Sequence, residues 1–204
     1  VLVIALVSKT VMPVRVPTGQ VFSHRLGVFA TNSFGDQAVL SSTPHWLWAV
    51  TYSSTLETRV NYSPSDAFVT FPRPIQTGRL DDAGQRLESM RRETMMRRGL
   101  GLTKLYNLIN DSVIHGDKDV DQLREIHVEI DEATIAAYGW NDISLNHGFH
   151  AYRQVERWSV CSAARAALLD RLLEENHHRS LAQHELRVSG QAEKITSDDE
   201  TLYS

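Results

Sequence analysis

The segment Pro72-Arg73-Pro74 separates two kinds of sequence pattern, and this change constrains the fold more than any other feature. Before it, short runs such as 1–8 and 11–16 are rich in β-branched residues and are broken by turn residues, which predicts short strands. After it, apolar residues recur at spacings of three and four, which predicts long helices. The sequence therefore predicts an α+β fold: a short-stranded mixed sheet with flanking helices, followed by a mainly helical antiparallel bundle.

Several elements are expected before the proline segment. Short strands are also predicted at 21–24 and 27–30, and residues 1–7 are apolar enough for a buried central strand. An amphipathic helix is predicted at 35–52, beginning near Pro44 or kinked there. A half-buried strand is predicted at 55–62.

The strand at 55–62 leads into a predicted helical turn. Ser63 has the right chemistry to cap that turn, and Pro64 suits its first position. Phe68 and Phe71 are three residues apart, so we expect them to share one face.

The second half contains clear helix signals. A helix containing Leu80 and Leu87 should stop at Gly99, and a shorter helix is predicted at 102–111. Asp119 and Gln122 form a predicted capping box for a helix that ends at Gly139.

Beyond that helix, residues 140–150 have no regular pattern. A strand is then predicted at 152–160 and a helix at 163–182, and the polar composition of 187–204 predicts a disordered tail.

Composition sets limits on the class of protein. The chain has 204 residues and a net charge of −4, and its single Cys161 allows no internal disulfide, which fits a reducing cytosol. The apolar run at 1–7 is too short to span a bilayer, which needs about 20 residues, and it lacks the features of a signal peptide. A chain that starts in a strand without methionine predicts a fragment of a longer protein, with no membrane partner.

The charges are distributed unevenly along the chain. Up to residue 75 the basic residues outnumber the acidic residues, whereas the remainder carries the acidic excess. This distribution suits a protein whose first part meets a phosphate backbone. The basic residues of the first part are Lys9, Arg15, Arg25, Arg59 and Arg73.

The chain contains no recognisable catalytic motif. A glycine-rich cofactor loop, an Asn/Asp-Pro-Pro-Tyr/Phe motif, a Walker loop and a nucleophile elbow are all absent. His147, His150, His177 and His178 have no metal-ligand spacing, so a metal site is disfavoured. The sequence predicts no catalytic residue in this chain.

Three ordered blocks carry a family resemblance. They begin at Ser54-Thr55-Leu56-Glu57-Thr58-Arg59, at Gly101-Leu102-Thr103-Lys104-Leu105 and at Leu172-Leu173-Glu174-Glu175. The first block continues through Tyr62-Ser63-Pro64-Ser65-Asp66 to Phe71-Pro72, and the second through Leu123-Arg124-Glu125-Ile126-His127 to Ala137-Tyr138-Gly139-Trp140. Together they resemble the end of the target recognition domain and the C-terminal helical region of MmeI-like type IIG restriction-modification enzymes.

This resemblance implies a role in DNA recognition. The parent enzyme would be an adenine-specific DNA methyltransferase, with or without an endonuclease, acting in the cytoplasm. It would use S-adenosylmethionine in an upstream methyltransferase domain of the same polypeptide, and this chain would hold no cofactor. Residues 1–75 would form the later part of the target recognition domain, and 76–186 a helical C-terminal domain. The partner would be double-stranded DNA.

The resemblance does not single out DNA-contacting residues, so these are predicted from residue type and position. Arginine and glutamine read guanine and adenine in the major groove, and lysine binds phosphates. The candidates for bases or adjacent phosphates are Gln20, Arg25 and Arg59, and those for phosphates are Lys9 and Arg15.

Two alternatives stay open from the sequence. The acidic, amphipathic second half also suits a helical protein-interaction module without DNA binding. The chain could also be a remnant that has no activity alone. A steep loss of DNA affinity with added salt would favour DNA recognition.

Overall fold

The computed structural model describes residues 1–56, 59–152 and 155–200. Its α+β class agrees with the prediction. The elements in chain order are β1 Leu2–Ala5, β2 Val7–Ser8, β3 Val14–Arg15, β4 Leu26–Phe29, α1 Phe34–Ser41, α2 Thr43–Tyr52, β5 Ser54–Leu56, β6 Arg59–Asn61, a π-helical turn Pro64–Phe68, α3 Gly78–Arg98, α4 Leu102–Ile109, α5 Lys118–Tyr138, β7 Gly148–Tyr152, β8 Val155–Ser159 and α6 Ser162–Glu200.

The strands form three small sheets, with orders β3-β1-β4, β2-β6-β5 and β7-β8. All strand pairs between described residues are antiparallel, so the sheets are antiparallel rather than mixed. β1 lies in the centre of its sheet, with Leu2 opposite Phe29 and Val3 opposite Val14. Leu2 and Ile4 are fully buried, which confirms the prediction of a buried central strand.

Three strand predictions are wrong in detail. Residues 21–24 form no strand, and Val21 is fully exposed, because it has no core to pack against. The single strand expected at 55–62 is a pair, β5 and β6, with Leu56 opposite Arg59; residues 57 and 58 lie outside the described part. The strand expected at 152–160 is β8, and its partner β7 was missed because its residues do not alternate in polarity.

The predicted helix at 35–52 consists of two helices joined at Ser42. This residue ends α1 and caps α2: its hydroxyl donates to the carbonyl of Val39 at 2.7 Å and accepts from the backbone N–H of His45 at 3.4 Å. Pro44 lies in the first turn of α2, where its missing N–H is not needed. The second helix therefore begins beside Pro44, as one of the two sequence alternatives expected.

The predicted ends of the long helices are mostly confirmed. α3 ends at Gly99 and α5 at Gly139, both in the left-handed conformation that glycine adopts most easily. The N-cap of α5, however, is Asp117 rather than Asp119. The carboxylate of Asp117 accepts from the backbone N–H groups of Asp119 and Val120, which places Asp119 in the first turn.

The turn after β6 differs from its predicted form. The hydroxyl of Ser63 makes no capping bond and instead donates to the carboxylate of Asp66 at 2.6 Å. Phe68 and Phe71 do not share a face, because the helical turn ends at Phe68. Phe68 packs against Phe29 and Phe71 against Trp48, in different hydrophobic clusters.

The largest hydrophobic cluster crosses the predicted domain boundary at residue 75. It joins Val39, Trp48 and Phe71 to the buried leucines Leu80 and Leu123 of α3 and α5. Residues 1–75 and 76–186 therefore share a core instead of having separate ones. The close approach of α1 to α3 forms the centre of this contact.

Helix α6 is longer than expected. It continues to Glu200, where a disordered tail was predicted from residue 187. The segment is polar, but it contains alanine, glutamine, glutamate and lysine, which are good helix formers. Among the described residues, no helix has the length and apolar character needed to cross a membrane.

The buried histidine His45 makes stability dependent on pH. Its Nδ1–H donates to the carbonyl of Leu40 at 2.7 Å and its Nε2 accepts from the hydroxyl of Tyr62 at 3.0 Å. Burial lowers the pKa of His45 from 6.5 to about 4. The unfolded chain binds a proton below pH 6.5 and the folded chain does not until about pH 4, so stability falls as the pH decreases through this window.

We expect His45→Gln to remove part of this pH dependence. As the pH decreases from roughly 6 to 5, the free energy of unfolding of the variant should fall less steeply than that of the unmodified protein. The two slopes should differ by about 1.4 kcal/mol per pH unit. Urea denaturation at several pH values measures both slopes. Equal slopes would show that His45 is not held neutral by burial.

Candidate functional site

Four of the five predicted DNA contacts lie exposed on loops or at a strand end of the first two sheets. Lys9 is in the connection between β2 and β3, and Gln20 and Arg25 are in the connection between β3 and β4. Arg59 begins β6. The side-chain amide of Gln20 donates to the carbonyl of Pro17 at 2.9 Å, within the same loop. Their role in DNA binding stays a prediction.

The fifth candidate, Arg15, is occupied by structural contacts. Its Nε donates to the side chain of Gln37 at 3.2 Å, and its two terminal nitrogens donate to the carbonyls of Asn32 and Ser33 at 2.9 and 3.1 Å. The guanidinium also lies 4.1 Å from the centre of the Phe34 ring. These contacts, with partners distant in sequence, hold Arg15 at the start of α1, and its contact with DNA phosphates stays a prediction.

The arginines of α3 are neutralised by acidic residues. Arg91 is buried beside Glu88, which also pairs with the exposed Arg92, and the other exposed arginines pair with acidic residues in α5 or at its N-cap. These pairs are Arg79–Glu132, Arg86–Glu129, Arg92–Glu88, Arg97–Asp119 and Arg98–Asp117. In contrast, Lys9 and Arg25 make no ion pair with any residue that the structure describes. These two side chains are therefore available to contact phosphates, although exposed lysines such as Lys104 and Lys118 also lie in the second part of the molecule.

A small cavity lies where both parts of the chain meet, and we call it the central cavity. Its volume is about 60 Å³. Six parts of the chain line it: the β2–β3 connection, the α1–α2 junction, α4, α5, the segment that precedes β7, and strand β8. In that order, one lining residue from each is Thr10, Ser41, Tyr106, Asp131, His147 and Arg157. Several of these residues keep part of their surface accessible, so the cavity is recessed but not sealed.

Asp131 is the acidic group of the central cavity and is 3% exposed. Its carboxylate accepts from the backbone N–H and the hydroxyl of Thr43, each at 2.6 Å, and from Nε2 of His147 at 2.9 Å. Thr43 is the first residue of α2, so the positive end of the helix dipole further stabilises this carboxylate. These contacts hold the carboxylate of Asp131 in place and stabilise its negative charge.

Arg157 is the basic group of the central cavity. Its guanidinium lies 4.6 Å from the centre of the Trp46 ring and has no hydrogen-bond or ion-pair partner among the described residues. Burial lowers the pKa of Arg157 to about 10, which still leaves it positively charged at neutral pH. Nearby, Nε2 of His127 pairs with the hydroxyl of Tyr106 at 2.9 Å, and burial lowers the pKa of His127 to about 4.

Three further polar atoms at the central cavity are buried without a partner among the described residues. They are the hydroxyl oxygen of Ser41 and the indole nitrogens of Trp46 and Trp158. The backbone is also strained beside the cavity, since Val11 and Asn146 have φ values of 40° and 45° and each adjoins a lining residue. Such backbone strain tends to occur at functional sites.

The central cavity was not predicted from the sequence. His147 was a candidate only as a metal ligand, and the described residues contain no group of side chains that could hold a metal ion. One local signal was available: His127, Asp131 and Thr134 lie at spacings of four and three, so a charged residue falls within the apolar stripe of α5. The sequence around Arg157 contains no comparable signal.

Comparison with known proteins gives one informative match. No family model and no curated protein sequence matches this chain. Its fold, however, is similar to part of a solved restriction-modification enzyme, with a TM-score of 0.55 and 19% sequence identity.

That enzyme is MmeI, a type IIL restriction-modification enzyme solved in complex with DNA. The match covers 88% of this chain and 21% of the MmeI chain, so this chain spans about a fifth of the length of that enzyme. At this identity, the match shows the fold. The expected likeness to restriction-modification enzymes is confirmed for the fold.

Proposed function

We propose that this chain is a DNA-recognition module of a restriction-modification enzyme. The observation that carries the proposal is the fold likeness, over 88% of the chain, to an enzyme solved in complex with DNA. Two exposed cations of the first part of the chain support it, because Lys9 and Arg25 have no ion-pair partner among the described residues and can contact phosphates, whereas the arginines of α3 are paired with acidic residues.

The exposed candidates divide by the chemistry that they offer. Arg25 carries a guanidinium that can donate two hydrogen bonds to guanine, and Gln20 carries an amide that can pair with adenine; each such pair contributes about 1–3 kcal/mol of discrimination. Arg59 would contact a base or an adjacent phosphate, and Lys9 would bind a phosphate; phosphate contacts fix the orientation of the module on the duplex.

The parent enzyme belongs to the same proposal. It is an adenine-specific methyltransferase of the type IIG class that uses S-adenosylmethionine in an upstream domain of the same polypeptide, with or without an endonuclease. This chain would select the site at which those domains act. Support comes from the ordered sequence blocks and from the fold match.

DNA binding tests the proposal. We expect the chain to bind a DNA duplex with an affinity that falls steeply with salt. Lys9→Ala should reduce the slope of log K against log salt by about 1, since one phosphate contact is lost. Fluorescence anisotropy with a labelled duplex measures the slope.

Arg79→Ala is the matched control for Lys9→Ala, because its exposed cation is already paired with Glu132. We expect it to leave the slope unchanged. Binding that is absent at low salt, or equal slopes for Lys9→Ala and the unmodified chain, would contradict the proposed contact surface.

The alternative, a protein-interaction module, has one observation in its favour. The last part of α6 for which side chains are described is exposed on all sides, and it includes Leu181 and Leu186, which are 67% and 73% exposed. Association with a protein partner without DNA, together with no DNA binding at low salt, would favour this function.

A further inference from the structure

The central cavity has unpaired hydrogen-bond donors. The indole nitrogens of Trp46 and Trp158 can only donate, and the hydroxyl of Ser41 can also donate. Ser41 is 6% exposed, so bulk solvent does not satisfy it. Because buried donors without acceptors are unfavourable, an occupant that accepts hydrogen bonds would stabilise this arrangement.

Arg157 gives the central cavity a group that can attract an anionic occupant. Arg157 is positively charged and unpaired among the described residues. The opposite charge, on Asp131, already accepts three hydrogen bonds from Thr43 and His147. The groups left without a partner are therefore one cation and three neutral polar groups able to donate.

The volume of the cavity admits a small occupant. About 60 Å³ is several times the roughly 10–15 Å³ that one water molecule needs on the same measure, so the cavity has room for a group of a few heavy atoms. A single tetrahedral oxyanion fits this volume and presents acceptors in several directions.

We propose that the central cavity binds one phosphate-sized oxyanion. Arg157 supplies the charge, and Ser41, Trp46 and Trp158 supply hydrogen bonds. Two occupants could present this oxyanion: a free inorganic phosphate, or a phosphate group of the DNA backbone. The second occupant rests on the proposed function, whereas the first does not.

Titration with inorganic phosphate tests the site. The full chain is titrated with sodium phosphate while the ionic strength is held constant with sodium chloride. Isothermal titration calorimetry and tryptophan fluorescence should both show saturable binding at one site, since Trp46 and Trp158 line the cavity. Arg157→Gln should weaken binding about tenfold or more, because a charge-assisted hydrogen bond is lost.

Two further variants keep the test decisive. Ser41→Ala removes only the unpaired hydroxyl and should weaken phosphate binding several-fold, even where Arg157→Gln fails to fold; thermal melting checks the folding of each variant. Arg79→Gln, on the exposed face of α3, should bind phosphate as the unmodified chain does. Absence of saturable binding, or full affinity in the Ser41→Ala variant, would overturn the proposal.

Competition with DNA separates the two sources. If the occupant is a backbone phosphate, Ser41→Ala should also weaken DNA binding, and phosphate should displace DNA at constant ionic strength. If the occupant is a free anion, Ser41→Ala should leave DNA affinity unchanged. A chain that binds phosphate but no DNA supports the anion site and contradicts the proposed function, whereas DNA binding without phosphate binding overturns the anion site alone.

Discussion

Replacing Gly84 with alanine is expected to lower the free energy of unfolding by about 3 kcal/mol. Gly84 lies on α3 where α1 begins, and an added Cβ would sit 1.9 Å from the carbonyl oxygen of Phe34 and 2.7 Å from its carbonyl carbon. These are backbone atoms, so no side chain can rotate away. The two helices must separate, which loosens the largest hydrophobic cluster.

Gly78→Ala is the matched control, because it lies on the same helix and a Cβ there meets no atom within 4 Å. It should be neutral or stabilise the protein by up to about 1 kcal/mol, since alanine is the better helix former. Urea denaturation of both variants gives the comparison. A Gly84→Ala variant as stable as Gly78→Ala would show that α1 and α3 do not approach this closely.

Replacing Arg124 with methionine is expected to cost about 3–5 kcal/mol or to prevent folding. Arg124 is 5% exposed. Its guanidinium donates to four backbone carbonyls at the end of α4 and in the loop that follows, and to the carboxylate of Asp121 at 3.1 Å. The carbonyls belong to Leu108, Ile109, Asp111 and Ile114, at 3.4, 3.0, 3.0 and 2.9 Å.

The large effect follows from what the substitution leaves behind. Methionine fills much of the same volume, but the carbonyls lose their donors in a buried position. Arg124→Lys keeps the charge without the planar fork of donors, so it should recover only part of the stability. Arg79→Met, which removes an exposed ion pair, should change stability by less than about 1 kcal/mol.

Chemical denaturation of these three variants measures the effect. Near-normal stability of Arg124→Met would show that the loop after α4 does not depend on this side chain. Amide hydrogen exchange adds a local measurement: protection at the end of α4 should be lost in Arg124→Met and kept in Arg79→Met.

Local signals in the sequence were sufficient where one segment decides its own structure. The glycines Gly99 and Gly139 mark helix ends because a left-handed residue is needed there, and this requirement is visible without the rest of the fold. The same reasoning failed at Asp119. Two aspartates, Asp117 and Asp119, can each cap a helix, and the fold selected the earlier one.

Contacts between distant segments decided the role of individual polar residues. Arginine is a residue type that binds phosphates, but the guanidinium of Arg15 donates hydrogen bonds to Asn32, Ser33 and Gln37. The sequence cannot show this, because the partners approach only after β3 and α1 have packed together. Lys9 and Arg25 lie exposed, and packing brings no acidic residue to pair with them among the described parts of the chain.

The sequence by itself determined the α+β class, the central position of β1 and the course of α3 and α5, because apolar periodicity and capping act within a few residues. The tertiary structure alone decided that the two halves share one core and that a charged cavity lies between them. The lining of that cavity includes residues as distant in the sequence as Thr10 and Arg157. Burial and the pairing of charges depend on such long-range contacts, and no local pattern in the sequence encodes them.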